Sequence, residues 1–407
     1  MKRAFSLVLA FLLAVAAGPV RGDVVTDWNL TAIDVMKAAR FGGNPAARTL
    51  AMVHVAMSDA VNTVQNRYTR YLTTVPMAAD ASAEAAAATA ARQILLAQFA
   101  AQKNIIEDAY ARSMKAVPDG PAKARGVTAG EQVAAAVIAD RASDGTTVPD
   151  DYRPVTTPGV WVPTTPPLFA QYARAKPWVM NRPDQFRPGP PPALNSALYA
   201  RDYNETKNLG GARSTARTVA QTDAVKFWTQ ANLPNGWHTA ARELTLARNL
   251  PLADSARFFA LLNMAIANTF INDWDAKFTY NYWRPVTAIR NGDVDGNDAT
   301  ERDAGWTSLN DTPMHPEYPS QAAIISGAAI VIMESVFGPK PAMRFTIVDF
   351  ADPNVKREVA SINEMDLEHR NVRVWGGIHF RNSLDVGYDM GSKGAAYLIE
   401  NSIKPVR

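Results

Sequence analysis

The chain has 407 residues and no cysteine, which excludes disulfides, thiolate metal sites and cysteine nucleophiles. Its 42 lysines and arginines stand against 39 carboxylates, a net charge of +3 with both signs interspersed. That pattern leaves no footprint for nucleic acid or an anionic membrane, so any attraction for an anionic substrate must be local.

In chain order, Lys2 and Arg3 precede an apolar run over 4–17 and small or tolerated residues at 20–22. This predicts a secretory signal peptide over 1–22, cut near Asp23, and export to a bacterial periplasm or out of the cell. The run is too short to span a bilayer comfortably, and no other segment approaches that length, so no span is expected once the signal is removed. An N-terminal helical half is predicted over 23–148. Leu50, Val53, Met57, Val61 and Val64 share one helical stripe, and His54 lies on it as a packing residue. Residues 82–116 are alanine-rich and favour helix, with Ile94, Leu95, Phe99, Ile105 and Ile106 for contacts. A further helix is expected from about 128 to 142, ended by Ser-Asp-Gly.

Residues 149–194 carry nearly half of the 27 prolines and cannot form a regular helix. Trp161, Val162, Phe169, Tyr172, Trp178 and Phe186 are too many apolar and aromatic residues for a disordered linker. An extended strap packed on helices is predicted. Helical pattern resumes in a C-terminal half, 195–407, with Leu244, Leu246, Phe258, Phe259, Leu262 and Ile266 as core. Pro319 is expected in the first turn of a helix through 322–333. A last helix is expected from near Gly377 or His379 to about Leu398. No solenoid repeat is present, and the helix count suits an all-α fold of two packed bundles.

Three short segments carry chemistry. In KFTYNYWRP, Lys277 and Arg284 lie seven residues apart, about 10.5 Å of rise if helical, so one face would carry both cations. HPEYPS ends in Ser320, and RVWGGIH runs from Arg373 to His379. Arginine donates as a planar fork, lysine as a point charge, and serine adds a hydroxyl. Gly376 and Gly377 let backbone N–H groups approach an oxyanion.

Lys-x6-Arg-Pro, then Pro-Ser, then Arg-x5-His, in this order, resembles the vanadium-dependent haloperoxidases and type 2 phosphatidic acid phosphatases. DAVN at 59–62, VWVPTTPPLF and DQFRPGPPPALNS resemble the bacterial secreted haloperoxidase-like branch, so the resemblance covers nearly the whole mature chain. It implies two helical bundles and an oxyanion held by Lys277, Arg284, Ser320, Gly377 and Arg373. It implies His379 as the axial vanadium ligand, Lys277 as the group that polarises bound peroxide, and vanadate as cofactor for oxidising halide. In the phosphatase alternative His379 is the nucleophile and no cofactor is needed. A non-catalytic oxyanion-binding relative is a further alternative. The implied partners are small molecules: halide, hydrogen peroxide or a phosphate ester. A homodimer remains open.

Two departures from the family pattern stand out. Gln321-Ala322 replaces Gly-His after Pro-Ser, which removes the general acid/base histidine. Ser383 replaces the aspartate that would orient His379 from the next helical turn. His315 and Glu317 lie within five residues of Ser320 and are candidate substitute bases. Against this stands the simpler role of His315 in packing or capping the turn. His238 has no positional support, and His369, in EMDLEHRN, is expected on a solvated helix face. NGDVDGND lacks the calcium-loop glycine and glutamate positions and reads as a surface turn. Asp273 or Asp275 is expected to pair with a cation of the cradle.

Overall fold

A computed structural model describes residues 22–72, 74–163, 165–228 and 232–406. The predicted signal, but for Gly22, lies outside the described residues. Thirteen helices are described: α1 (Val24–Ala38), α2 (Gly43–Gln65), α3 (Ala83–Gln98), α4 (Lys103–Lys115), α5 (Pro121–Arg141), α6 (Ala197–Gly210), α7 (Val219–Phe227), α8 (Asn232–Arg248), α9 (Leu252–Tyr280), α10 (Pro285–Arg290), α11 (Gln321–Phe337), α12 (Ile362–Trp375) and α13 (Arg381–Asn401). The fold is all-α with one addition, a small antiparallel hairpin of β1 (Phe345–Val348) and β2 (Lys356–Val359), in which Phe345 faces Val359.

Local chemistry sets the boundaries. Asp23 and Ser82 cap α1 and α3 by accepting from Thr26 and Ala85 N–H. The alanine-rich segment is not one helix. It breaks at Phe99, which leaves helical geometry and buries its ring against Phe41 in a T-shaped pair at 5.0 Å. The helix expected from 128 starts earlier, because Pro121 at the first helical position nucleates it. Against α3, Gly126 and Gly130 of α5 permit backbone approach: a Cβ on Gly130 would lie 2.4 Å from Ala86 O.

The long helix α9 is buried along nearly its whole length and packs on α2, α11 and α13, joining the N-terminal helices to the C-terminal ones. Among the described residues of 149–194 there is one short 3-10 helix, Ala170–Arg174, which packs on α9. There Trp274 Nε1 donates to Leu168 O at 2.9 Å, and Trp178 N–H to Asn268 Oδ1 at 2.9 Å. Trp161, Tyr172 and Trp178 are buried, and the Arg141 guanidinium sits 3.7 Å over the Trp178 ring. No helix among the described residues is long and apolar enough to cross a membrane.

Candidate active site

Lys277 and Arg284 do not share a helix face. α9 ends just after Lys277, where Asn281 turns left-handed (φ 49°) and its N–H closes on Lys277 O at 2.7 Å. Arg284 is extended and precedes α10, with Pro285 at the first helical position. The proline therefore stands in the first turn of the next helix. The strap fixes this loop: Trp161 N–H donates to Asn281 O at 2.8 Å and Trp283 N–H to Gly159 O at 3.0 Å.

The Lys277 ammonium is fully buried. It donates to Glu317 O at 3.0 Å and to Pro319 O, and lies 3.7 Å from Asp273 Oδ1. Neither Asp273 oxygen makes a hydrogen bond, so charge alone joins this pair. Burial pushes the lysine below and the aspartate above their ordinary values. Asp275 pairs elsewhere, with Arg187 at 2.7 Å.

Arg284 organises both site histidines. Its Nε donates to His315 O at 3.0 Å and Nη1 to Ile378 O at 2.7 Å. Nη1 also meets His379 Nε2, and Nη2 meets His315 Nδ1, each at 3.1 Å. A guanidinium only donates, so His379 Nε2 accepts from Arg284. His315 Nδ1 lies between the Arg284 donor and the Pro316 carbonyl oxygen, 3.3 Å away, so the ring is held in the turn by both.

On the other side of His379, Nδ1–H donates to Glu317 Oε1 at 2.9 Å. Oε1 also accepts from Phe380 N–H at 2.9 Å, and Oε2 from Ser383 Oγ at 2.6 Å. Glu317 is fully buried; burial raises its carboxyl, while Ser383, Arg284 and the Phe380 N–H oppose that. Burial and the cations Arg284, Lys277 and Arg373 hold the His379 imidazole well below its ordinary value, so it is neutral. The carboxylate that orients this ring comes from the HPEYPS turn, and Ser383 anchors that carboxylate instead of touching the imidazole.

A cavity of about 570 Å³ opens in front of these groups, with His315, Gln321, Ala322, Arg373 and His379 in its wall. α11 begins there. Ser320 is its N-cap but caps with no side-chain hydrogen bond, and Pro319 stands before the helix rather than in its first turn. Ser320 Oγ, Gln321 Nε2 and Arg373 Nε are buried without a hydrogen-bond partner. Among the described residues Arg373 makes no ion pair, and burial with Arg284 nearby lowers it to about 9. The described carboxyls beside Lys277, Arg284 and Arg373 are Asp273 and Glu317. The site therefore carries more basic than acidic groups, beside the positive end of α11.

Residues 257–406 match the family model described as the VCPO second helical-bundle domain. Over 218 residues the chain is 25% identical to a vanadium chloroperoxidase of Curvularia inaequalis, a match covering 47% of this chain and 35% of that relative. The chain thus corresponds to only about a third of the length of that relative. In fold it is similar to a bacterial vanadium-dependent iodoperoxidase, with a TM-score of 0.79 and 21% identity over 96% of this chain and 99% of the other. It is also similar to a bacterial vanadium-dependent chloroperoxidase, at 0.72 and 16% identity over 88% and 92%.

Residues 257–406 thus match the second helical-bundle domain of the vanadium chloroperoxidases, and the chain is similar in fold to vanadium haloperoxidases. Of the residues that the superfamily motif singles out, Arg373 and His379 reach the cavity, whereas Lys277, Arg284 and Ser320 stand behind its wall. Gly377 has φ +76° and packs so closely on α6 that a Cβ would lie 2.4 Å from Gly210 O; its own N–H donates to Val374 O at 2.9 Å. Ala322 lines the cavity at the position where the superfamily motif carries histidine.

His369 is not solvated. It is fully buried, edge-on to Trp228 at 4.1 Å and Trp237 at 5.4 Å. Asp295, in NGDVDGND, accepts from Asn297 N–H and Thr300 Oγ1 within its own turn. Sequence reasoning missed Glu317 as the partner of His379. The signal was a carboxylate three residues before Ser320, weighed as a base and not as a support.

Proposed function

We propose that this chain is an exported vanadium-dependent haloperoxidase that uses hydrogen peroxide to oxidise halide. The leader-like first 22 residues support export. The observation that carries the reading is Arg373, a buried guanidinium with no ion pair among the described residues, sharing the cavity wall with a neutral His379. Burying an unpaired cation is costly unless a ligand supplies the opposite charge.

Vanadate fits the residues present. Ser320 Oγ, Gln321 Nε2 and Arg373 Nε are three buried donors near His379 that lack acceptors, and an oxyanion brings acceptors and negative charge together. Ser320, Gln321 and Arg373 would hold it, with His379 offering Nε2. Lys277 and Arg284 add field and keep the HPEYP turn and the His379 loop in place. Bound vanadate would supply a Lewis acid that activates peroxide toward halide without changing oxidation state. The Glu317 carboxylate keeps the His379 proton on Nδ1 and so leaves a lone pair on Nε2, which faces Arg284 Nη1 at 3.1 Å and would exchange that contact for vanadate. Ala322 offers no imidazole to take a proton from peroxide, a loss that general-base catalysis values at roughly 10²- to 10⁴-fold. Slow turnover with intact binding is therefore expected.

Calorimetric titration of the mature chain with vanadate, followed by bromide oxidation with peroxide, tests this. Binding that disappears in His379→Ala, with measurable bromide oxidation in the unaltered chain, is the expected result. Binding without any turnover would leave an oxyanion-binding relative, and no binding would sink the proposal.

A further inference from the structure

We propose that the cavity in front of His379 takes an apolar organic molecule bearing one hydrogen-bond-accepting oxygen, and that His238 reads that oxygen. The inference rests on the haloperoxidase reading only for what happens to the molecule at the His379 end.

Size is the first argument. Halide and peroxide need little more room than one or two waters, each about 30 Å³. The cavity has about 570 Å³, within the range of pockets for organic ligands. Its wall is mostly apolar, with Met36 from α1, Leu50 from α2, Phe169 from the strap, and Ile266, Phe270 and Trp274 from α9. Such a surface gains nothing from small inorganic ions, and burying an aromatic or terpenoid-sized body against it is favourable.

The second argument is the protonation of His238, which α8 places in the same wall. Arg242 Nη1 donates to Asn29 Oδ1 at 2.7 Å, which fixes the orientation of that amide. Asn29 Nδ2 then lies 2.9 Å from His54 Nε2 and 3.2 Å from His238 Nδ1. An amide nitrogen only donates, so both imidazole nitrogens accept. His238 therefore carries its single proton on Nε2. Burial, with Arg242 adjacent, lowers its pKa to about 3, so the ring stays neutral. Among the described residues Nε2–H has no acceptor, although His238 is only 2% exposed. A donor that no described residue satisfies, at the surface of an apolar cavity, selects a ligand acceptor. Because the donor is neutral, a carbonyl, ether or phenolic oxygen suits it better than a carboxylate, which would want a cation. Arg242 is already spent on Asn29 and Thr239.

Two probes of one shape separate the polar term from the apolar one: 2-methoxynaphthalene, whose ether oxygen accepts, and 2-ethylnaphthalene, which lacks it. Equilibrium dialysis of the unaltered chain in vanadate-free buffer is expected to show the ether bound about fivefold tighter. His238→Gln, which keeps a donor near the Nε2 position, retains the preference, and His238→Leu loses it. Equal binding of the two probes, or binding of neither, overturns the inference on the unaltered chain alone, whether or not the variants fold. A separate vanadate titration keeps the two readings apart. Ether preference without vanadate binding removes the haloperoxidase reading and leaves the cavity assignment standing, whereas vanadate binding without ether preference removes only the latter.

Discussion

Glu317 shows how one side chain can restore what the local motif lacks. The position four residues after His379 holds a serine, which alone would orient the imidazole weakly. The structure instead brings a carboxylate from 62 residues upstream onto Nδ1 and fixes it with Ser383 and Phe380 N–H. Glu317→Gln isolates the charge, because the amide oxygen can still accept from Phe380 and His379 while the amide nitrogen donates to Ser383. Outer-sphere partners of this kind typically contribute roughly 10- to 100-fold in metal affinity. Vanadate affinity is expected to fall by that order, with the melting temperature nearly unchanged. Calorimetry beside thermal unfolding decides it, and equal affinity in Glu317→Gln and the unaltered chain would remove the positioning role. The cations and His379 were legible in the sequence because the motif fixes residue type at short spacing. The Glu317 contact was not, since it depends on how two distant loops meet. His369 was misread because its polar neighbours in EMDLEHRN suggested solvent, while the tryptophans that enclose it lie far off in sequence.

Helix α11 carries Ser320 and Gln321 at its start and lies against α13, which begins just beyond His379. Their spacing is set by glycines. A Cβ on Gly391 would lie 2.0 Å from Ile324 O, one on Gly327 2.1 Å from Tyr388 O, and one on Gly387 2.8 Å from Ser320 O. All three obstacles are backbone, which has no rotamer to yield. Gly391→Ala must therefore push the two helices apart. The expected cost is about 1–3 kcal/mol of stability, as for other overpacked cores. Ser320 N–H also donates to Ser383 O at 3.0 Å, so the displacement should reach the oxyanion cradle and weaken vanadate binding too. Urea unfolding and vanadate titration of the variant measure both effects; full stability with unchanged affinity would mean that the contact has slack. The helical class and the strap's composition were readable from pattern and proline content. The break at Phe99 and the separation of Lys277 from Arg284 were not, because periodicity does not say where a chain turns between two favourable helical segments. Pro285 fits both a helix end and a helix start, and only tertiary contacts with the strap select the start.

At the scale of the whole molecule, all five histidines, His54, His238, His315, His369 and His379, are buried. Burial lowers every one of them, His238 and His369 to about 3. A base lowered in the folded state contributes stability above its unfolded value, near 6.5, and loses it as pH falls toward the folded value. Unfolding therefore takes up protons at up to five sites below pH 6.5. The buried carboxyls Asp59, Asp202, Asp273, Glu317 and Asp366 are raised, chiefly by burial, and act in the opposite sense. Their contribution is complete below the unfolded carboxyl values and fades as pH rises through the folded ones. Five release sites thus oppose the five uptake sites between pH 6.5 and about 4.5, and the net slope there is small. Stability should fall below that, where the unfolded carboxyls also bind protons and the opposition ends. His369 gives the sharpest test, since both its ring nitrogens lack hydrogen-bond partners between Trp228 and Trp237. His369→Phe keeps a ring in that slot and removes one uptake site. Its urea midpoint should match the unaltered chain near pH 7.5 and exceed it at pH 5. Equal midpoints of His369→Phe and the unaltered chain at pH 5 would show that this buried imidazole does not contribute to acid sensitivity.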